Sequence, residues 1–226
     1  MNPEAVRWGL KTFGLCFHDT WWQTETGAIC IANYPTMDIK PGSMGKPVPG
    51  VNVQVVDEKG DICAVDCIGS IAIELTEPLQ PGMFEGYWQD DEATAMCFKN
   101  GWYYTGDNGS VDKDGYFWFV GRSDDMINSS GYRISPFEVE SSLLEHPAVL
   151  ESAVIGKLDE ARGEVVKAFI ILASNYQPSD ELRRDIQAFM KKQTAPYKYP
   201  REIEFVESLP KTISGKIRRI ELRQNS

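Results

Sequence analysis

The sequence of 226 residues contains only two histidines, His18 and His146, and neither is placed as in a nucleophile–base pair. This scarcity argues against a hydrolase that uses Ser-His or Cys-His catalysis. The cysteines are few and scattered, and no second pair of cysteines or histidines accompanies Cys63 and Cys67. A zinc site is therefore not expected, and reduced thiols are the simplest interpretation.

Long apolar runs are also missing, since no stretch of 18 apolar residues exists and no charged region followed by an apolar run opens the chain. We therefore expect a soluble, cytoplasmic protein with no membrane partner. The net charge of −10 argues against nucleic acid as a partner. With 42% apolar and 25% charged residues, the composition is that of a globular protein.

The charge is distributed unevenly along the chain. Residues 1–123 contain 8 Lys and Arg against 17 Asp and Glu, whereas residues 124–226 contain 15 against 16. This shift predicts two domains, 1–123 and 124–226. The sequence GRSDD (121–125) at their boundary indicates a tight hinge and not a flexible linker.

Hydrophobic patterns predict an α+β fold in which the two parts differ. Residues 3–12 favour a helix, and GLCFHDTWW (14–22) favours a short strand. Short alternating segments bounded by turn residues then fill residues 42–120, which indicates a small antiparallel barrel or sandwich. Beyond residue 122 we expect helices near 136–145 and 179–193, strands at 150–158, 164–172 and 202–209, and a basic tail.

One loop in the second part has features that suit phosphate. In SSGYRISPFEVESSL (129–143), Pro136 occupies a first-turn position of the expected helix, and Gly131 and Arg133 precede it. A permissive glycine beside a planar cation can bind phosphate oxygens. On these residues alone, an ordinary turn remains the more common explanation.

Six loops occur in a characteristic order. They are DTWWQTETG (19–27), GWYYTGD (101–107), GRSDD (121–125), SSGYRI (129–134), TAPYKYPREIEFV (194–206) and LPKTISGKIRR (209–219). Their order and spacing resemble the adenylate-forming acyl-CoA synthetases, specifically the C-terminal portion of acetyl-CoA and medium-chain acyl-CoA synthetases. The resemblance covers essentially the whole chain.

The resemblance implies a fold and an expected extent. Residues 1–123 would be a remnant of the large AMP-binding domain with its small antiparallel β-barrel (about 42–120), and 124–226 would be the mobile α+β lid. No segment resembles the Ser/Thr/Gly-rich phosphate loop or the adenine-binding segment of full-length members. We therefore expect Met1 to fall within the large domain and the chain to be a fragment. It would be complemented by a separate N-terminal chain, or would self-associate through the exposed sheet.

The resemblance also implies a two-step reaction with ATP, Mg²⁺ and CoA. A small carboxylate attacks the α-phosphate of ATP, which gives an acyl-adenylate and pyrophosphate, and the CoA thiol then displaces AMP. Catalysis of this kind depends on positioning and charge neutralisation.

In the first domain the resemblance assigns roles to four polar residues. Thr24 would hydrogen-bond the α-phosphate, and Glu25 would bind Mg²⁺, which is commonly held by one carboxylate and phosphate oxygens. Asp107 would accept hydrogen bonds from the ribose hydroxyls, and Arg122 would contact ribose or phosphate. The alternative is that these residues form ordinary polar turns.

In the second domain five further residues acquire implied roles. Asp124 matches the hinge, Arg133 matches a cation that meets the ATP phosphates, and Gly131 would leave room for pantetheine in the CoA channel. Lys216 resembles the catalytic lysine that bridges the carboxylate and the α-phosphate, and Gly215 would let its loop approach closely. The alternative for Lys216 is a solvated basic tail.

The acyl substrate depends mainly on Trp22, which matches an acyl-pocket position where an indole favours acetate or propionate. DTWWQTETG looks like the acetyl-CoA enzymes, whereas the later motifs look like medium-chain enzymes. We expect a short-chain substrate. The alternatives are a medium-chain synthetase, a non-catalytic remnant that binds nucleotide or CoA, and a luciferase or peptide-synthetase adenylation domain.

Overall fold

The computed structural model describes residues 3–213 and 215–224, so Met1 and its expected place in a larger domain lie outside the described residues. The chain divides into two compact units between Ser123 and Asp124. Helices and antiparallel sheets both occur, which confirms the α+β prediction. No helix in this described part is long and apolar enough to cross a membrane.

The first unit is built on an eight-stranded sheet in which every pairing is antiparallel. Its strands are β1 (Thr20–Trp21), β2 (Ile31–Ala32), β3 (Ser43–Pro47), β4 (Val53–Val56), β5 (Gly69–Glu74), β6 (Phe98–Lys99), β7 (Trp102–Val111) and β8 (Phe117–Arg122). Their order is β1-β2-β3-β8-β7-β5-β4, and β6 also pairs with β7. Among the described strands this order is an open path, so closure into a barrel stays a prediction.

Two helices and a 3₁₀ turn accompany this sheet: α1 (Pro3–Phe13), Thr24–Thr26 and α2 (Asp91–Cys97). α1 agrees with the prediction, and the alternating segments predicted within residues 42–120 include β4, β5, β7 and β8. The strand predicted at 14–22 is wrong except for Thr20–Trp21. The reason is that only these two residues find a partner strand, β2, while Leu15 is exposed.

One apolar core holds the first unit together. β4 and β5 contribute alternate side chains to it, namely Val53 and Val55 and then Ile71 and Ile73, because alternate residues of a strand share a face. Burial of each such side chain stabilises the fold by about 1.5–3 kcal/mol. The buried members are Trp21, Cys30, Ile31, Met44, Val53, Val55, Ile71, Ile73, Met83, Tyr103 and Phe117.

The second unit has a five-stranded sheet with helices on both faces. Its strands are β9 (Ile127–Ser129), β10 (Tyr132–Ile134), β11 (Val149–Asp159), β12 (Gly163–Leu172) and β13 (Glu202–Phe205). The order is β10-β9-β12-β11, and β13 runs parallel to β12. Its helices are α3 (Pro136–Leu143), α4 (Asp180–Gln193) and α5 (Arg219–Gln224).

The two long strands β11 and β12 are buried on both faces. Val154 and Ala168 face a core shared with α3 and α4, whereas Ala153 and Phe169 belong to a second cluster with Leu222 of α5. A strand covered on both faces needs apolar residues at successive positions. This explains the nearly continuous apolar sequences that predicted these two strands.

The two longer helices begin as their sequences predict. The Ser135 hydroxyl accepts a hydrogen bond from the Glu138 amide (3.1 Å), and Pro136 follows in the first turn. The Ser179 hydroxyl accepts one from the Leu182 amide (3.0 Å) at the start of α4. These caps satisfy amide groups that no helical carbonyl can reach.

The expected basic tail is in part a helix. Residues 219–224 form α5, whose Leu222 side chain is only 7% exposed. With six residues the helix is too short to produce a recognisable apolar period, so its sequence showed only its basic charge.

Candidate functional site

The carboxylate of Asp107 is buried and held by side chains from two parts of the first unit. On β7 it lies opposite Arg122 of β8, and the two side chains form an ion pair in which Arg122 Nη1 is 3.6 Å from Oδ1. Oδ2 accepts hydrogen bonds from Trp21 Nε1 (2.9 Å) and Gln23 Nε2 (3.1 Å). The Asp107 side chain is 8% exposed and that of Arg122 is 48% exposed. A fixed acid thus lies beside a guanidinium that solvent can reach.

Gln23 connects this acid to the core. Its amide nitrogen also donates to the Thr105 carbonyl (2.9 Å), and its oxygen accepts a hydrogen bond from the Tyr103 hydroxyl (2.9 Å). Burial, followed by the negative charge of Glu25, raises the pKa of Tyr103. The tyrosine therefore stays protonated as a donor at neutral pH, and the amide orientation of Gln23 is fixed.

The loop after β1 folds tightly on itself. The Thr26 hydroxyl accepts a hydrogen bond from the backbone amide of Gln23 (3.0 Å) and lies 2.8 Å from the backbone carbonyl oxygen of Gln23. Gly27 has φ +62°, and a Cβ there would come within 2.2 Å of the Gly82 carbonyl oxygen. Only glycine satisfies both conditions. Thr24 is consequently held at the surface, where it is exposed.

Glu25 offers one carboxylate at this loop. It is half-buried, its Oε1 accepts a hydrogen bond from the Tyr87 hydroxyl (3.1 Å), and its backbone carbonyl accepts from the Phe84 amide (2.8 Å). Within residues 3–213 and 215–224, no group of three or more His, Cys, Asp or Glu side chains could hold a metal ion. A cation at Glu25 would therefore need oxygen ligands from a bound molecule and water, which suits Mg²⁺ with a phosphate compound.

The two adjacent tryptophans differ in exposure. Trp21 is 7% exposed and belongs to the core, whereas Trp22 is 56% exposed. Trp21 is the last residue of β1, which pairs with β2, whereas Trp22 lies just beyond the strand. Trp22 is therefore not a core aromatic of the described structure.

In the second unit, Gly131 occupies the turn of the β9–β10 hairpin. Ser130 and Gly131 have φ values of +51° and +82°, as in the two-residue turns that suit twisted strands. A Cβ at Gly131 would meet no atom within 4 Å, so the backbone conformation, and not space within this unit, favours glycine. Arg133 is exposed on the same hairpin and forms no ion pair with the described part of the chain.

Lys216 lies in a short loop at the base of α5. Lys211 and Ile217 form a bridge, the Thr212 amide donates to the Lys216 carbonyl (2.8 Å), and the Lys216 amide donates to the Thr212 hydroxyl (3.0 Å). Gly215 has φ +82°. The Lys216 side chain is exposed, while its backbone amide and carbonyl are both hydrogen-bonded to Thr212.

The structure brings some of the predicted site residues together. Asp107 and Arg122 form one pair, and Thr24 and Glu25 directly follow Gln23, which contacts Asp107. Gly131 and Arg133 share a hairpin, Lys216 lies in another loop, and Asp124 is the exposed first residue of its unit. The sequence did not predict Trp21, Gln23 or Tyr103 as supports of Asp107.

Comparisons with known families identify the class of the protein. The family model of the AMP-binding enzymes matches residues 1–88, and that of the AMP-binding enzyme C-terminal domain matches residues 138–216. The chain therefore belongs to the AMP-binding enzymes.

Its similarity to individual relatives extends over nearly the whole chain. The acetyl-coenzyme A synthetase of Bacillus subtilis (strain 168) is 51% identical over 97% of the chain. The mitochondrial acyl-coenzyme A synthetase ACSM3 of Rattus norvegicus is 52% identical over 99%. The chain spans 38% and 39% of the length of these two relatives, respectively.

Solved structures agree with the fold. The anthranilate CoA ligase AuaEII in complex with anthranoyl-AMP superposes with a TM-score of 0.90 at 41% identity, over 100% of this chain and 42% of that one. ATP-bound MatB from Rhodopseudomonas palustris gives 0.89 at 30% identity, over 99% and 43%.

Proposed function

We propose that the chain is the C-terminal part of an ATP-dependent acyl-CoA synthetase that activates a short-chain carboxylate such as acetate or propionate. The observation that carries this proposal is the fixed Asp107 carboxylate beside the accessible Arg122 guanidinium. A carboxylate held in this way can accept hydrogen bonds from two ribose hydroxyls, and a guanidinium suits ribose or phosphate oxygens. The similarity to acyl-CoA synthetases over nearly the whole chain supports the same function.

In the first half-reaction, a carboxylate oxygen of the acid bonds to the α-phosphorus of ATP, and the bond to pyrophosphate breaks. Thr24 is proposed to hydrogen-bond the α-phosphate, and Arg133 to meet the phosphate oxygens. The ammonium group of Lys216 would neutralise charge between the attacking carboxylate and the α-phosphate. An exposed lysine whose backbone is hydrogen-bonded to Thr212 suits that role, because the cation remains available to a second partner.

Glu25 is the residue proposed to hold Mg²⁺, which would neutralise charge on the ATP phosphates. The Tyr87 hydroxyl fixes Oε1 of this carboxylate. The remaining ligands would be phosphate oxygens and water, as is usual for this ion.

In the second half-reaction, the CoA thiol attacks the acyl carbonyl and AMP leaves. The Gly131 hairpin is proposed to line the CoA channel, where a glycine leaves the path free of a side chain.

We further propose that residues 1–123 include the family's small barrel, that residues 124–226 act as a mobile lid, and that Asp124 is the hinge. The position of Asp124 at the boundary of the two compact units supports this role.

The acyl class rests on Trp22. Similar proteins carry the names acetyl-coenzyme A synthetase, 4-hydroxybutyrate–CoA ligase 1 (Metallosphaera sedula) and anthranilate CoA ligase, so overall similarity does not select one acid. An exposed indole beside the Thr24–Glu25 loop is suited to close a small acyl pocket. A medium-chain acid is the alternative.

A second candidate function is a non-catalytic module that binds nucleotide or CoA. The observation in its favour is that Trp8 and Phe13 of α1 are exposed, so they could meet a separate N-terminal chain or a second copy. We also propose a cytoplasmic location. The relatives do not test it, because proteins named mitochondrial are among them.

A fusion protein tests these alternatives. The part of the Bacillus subtilis relative that precedes the matched region is joined to residues 1–226, and we call the product the joined enzyme. Carboxylate-dependent ATP–pyrophosphate exchange is expected from the joined enzyme and not from the 226-residue chain alone. Exchange by the purified 226-residue chain alone would overturn the expectation that this chain cannot form the acyl-adenylate by itself. A folded joined enzyme that binds ATP but forms no acyl-adenylate would favour the non-catalytic module.

A further inference from the structure

A buried carboxylate in the second unit has a guanidinium as its partner. Glu140 on α3 is 8% exposed, and both of its oxygens lie 2.8 Å from Arg219 Nη2 of α5. The Val154 amide of β11 donates a further hydrogen bond of 2.8 Å to Oε1. Burial raises the pKa of Glu140, while the charge of Arg219 opposes this shift. The ion pair is therefore needed to keep a charged carboxylate at this depth.

The same arginine also reaches the beginning of the unit. Arg219 Nη1 lies 3.4 Å from Asp125 Oδ2, and Arg223 Nη2 lies 2.7 Å from Asp125 Oδ1. Arg219 and Arg223 are one helical turn apart, so they share a face of α5. This face thus connects α5 with α3, with β11 and with the residue that follows the proposed hinge Asp124.

The network is close in sequence to Lys216, which precedes Arg219 by three residues, and the intervening chain is ordered. Ile217 forms the bridge with Lys211, and the Arg218 amide donates to the Pro210 carbonyl (2.9 Å). Leu222 anchors the other face of α5 in the core. The direction in which the Lys216 loop leaves the unit is consequently set by how α5 is seated.

We propose that Arg219, held between Glu140 and Asp125, is a positioning residue that aligns the loop of Lys216 for adenylation. This inference rests on the proposed function, in which Lys216 acts at the α-phosphate. A displacement of about 1 Å at a reacting group can lower a rate about 100-fold, so small tilts of α5 matter. The second half-reaction does not need Lys216, and therefore it does not need this alignment.

The half-reactions of the joined enzyme give the first test. Arg219→Gln is expected to lower adenylation about 10-fold or more and to leave thioester formation from supplied acyl-adenylate within about 3-fold. Arg219→Lys, which keeps a cation near Glu140, should restore part of the adenylation rate. The matched control is Arg218→Gln, because Arg218 is an exposed arginine of the same segment that pairs with Glu221. Equal losses in both half-reactions, or the same loss in the control, would overturn the proposal.

A variant that keeps the buried pair guards against a general folding defect. Asp125→Asn removes one anchor and leaves Glu140 and Arg219 paired, so it should show the same selective loss to a smaller degree. The double variant Asp125→Asn/Arg219→Gln should be no slower than Arg219→Gln alone, because both residues act through one connection. Additive losses would contradict the inference.

Hydrogen exchange in the 226-residue chain separates this inference from the proposed function. Arg219→Gln should speed exchange of the Thr212 and Lys216 amides about 10-fold or more, while amides of β12 exchange as before. Unchanged exchange in the loop would overturn the inference whatever the activity. Faster loop exchange in a chain whose unmodified joined enzyme forms no acyl-adenylate would instead refute the proposed function.

Discussion

The indole nitrogen of Trp21 donates a buried hydrogen bond of 2.9 Å to Oδ2 of Asp107, although 86 residues separate the two in sequence. The bond ties the loop that contains Thr24 and Glu25 to the acid proposed to bind ribose. Two groups of the proposed nucleotide site therefore share one support. Trp22, the next residue, takes no part in it and is exposed.

This difference predicts effects of different size for two similar substitutions in the 226-residue chain. Trp21→Phe keeps an aromatic ring in the core but removes the donor to Asp107, so we expect a loss of about 1–2 kcal/mol in the free energy of unfolding. Trp22→Phe is the matched control and should change it by less than about 0.5 kcal/mol. Urea unfolding followed by circular dichroism measures both values. Equal effects would mean that the hydrogen bond adds nothing to stability.

The sequence predicted those parts of the site that short motifs specify. Asp107 and Arg122 each stand in a recognisable short motif, which the structure places on β7 and β8, and Lys216 stands in another. Trp21, Gln23 and Tyr103 could not be assigned as partners of Asp107, because sheet pairing brings them together from distant positions. The Glu140–Arg219 pair was not predicted from the sequence for the same reason. Local patterns identify the exposed chemistry, whereas the contacts that orient it depend on tertiary structure.

The low pKa of Asp112 predicts that the first unit loses stability in acid. Burial alone would raise the pKa of Asp112, but hydrogen bonds from the Lys40 ammonium and the Tyr116 amide outweigh it and lower the pKa to about 2. A carboxyl group whose pKa is lower in the folded state stabilises the fold above its unfolded pKa near 4. This stabilisation is lost as the pH falls through the folded value.

The expected contribution of Asp112 is roughly 1–2 kcal/mol at neutral pH. Asp112→Asn should therefore lower the free energy of unfolding at pH 6, and the difference from the unmodified chain should shrink as the pH falls from 4 to 2. Asp114→Asn removes the more exposed acid near Lys40 and serves as the control, with a smaller effect. A difference that does not change with pH would show that Asp112 acts through packing and not through its charge.

Lys216 should be required for only one of the two half-reactions. In the joined enzyme, Lys216→Ala removes the cation proposed to bridge the carboxylate and the α-phosphate, so adenylation should fall at least about 100-fold. Thioester formation from supplied acyl-adenylate should be mostly retained. ATP–pyrophosphate exchange and CoA consumption measure the two steps, and Lys59→Ala, an exposed lysine outside the proposed site, is the control. Equal loss of both steps would count against the assigned role.

Trp22 should determine the length of the acid. If the indole closes the acyl pocket, Trp22→Gly in the joined enzyme should shift kcat/KM from acetate or propionate toward longer acids. Each methylene in an apolar pocket is worth about 1–3 kcal/mol, so the change in preference should be tens-fold or more. Trp88→Gly removes another exposed tryptophan and should leave the preference as it was. An unchanged profile for Trp22→Gly would remove this residue from the acyl pocket.

Asp124, at the boundary between the two units, is where we expect the backbone to pivot during the reaction. Lys216 is proposed to act in the first half-reaction and the Gly131 hairpin in the second, although both belong to the unit that begins at Asp124. We expect this unit to rotate between the two steps about Asp124, where few residues absorb the change in backbone dihedrals. Proline at 124 would fix φ near about −65° and remove an N–H group. It should therefore hold one orientation.

In the joined enzyme, Asp124→Pro is expected to spare one half-reaction and to slow the other about 10-fold or more, with the fold intact. Asp124→Ala removes the carboxylate but keeps the dihedral freedom, so it should not separate the two half-reactions. Rates of ATP–pyrophosphate exchange and of thioester formation from supplied acyl-adenylate decide the question. If both rates fall together in a folded protein, or if neither changes, the rotation does not pivot at Asp124.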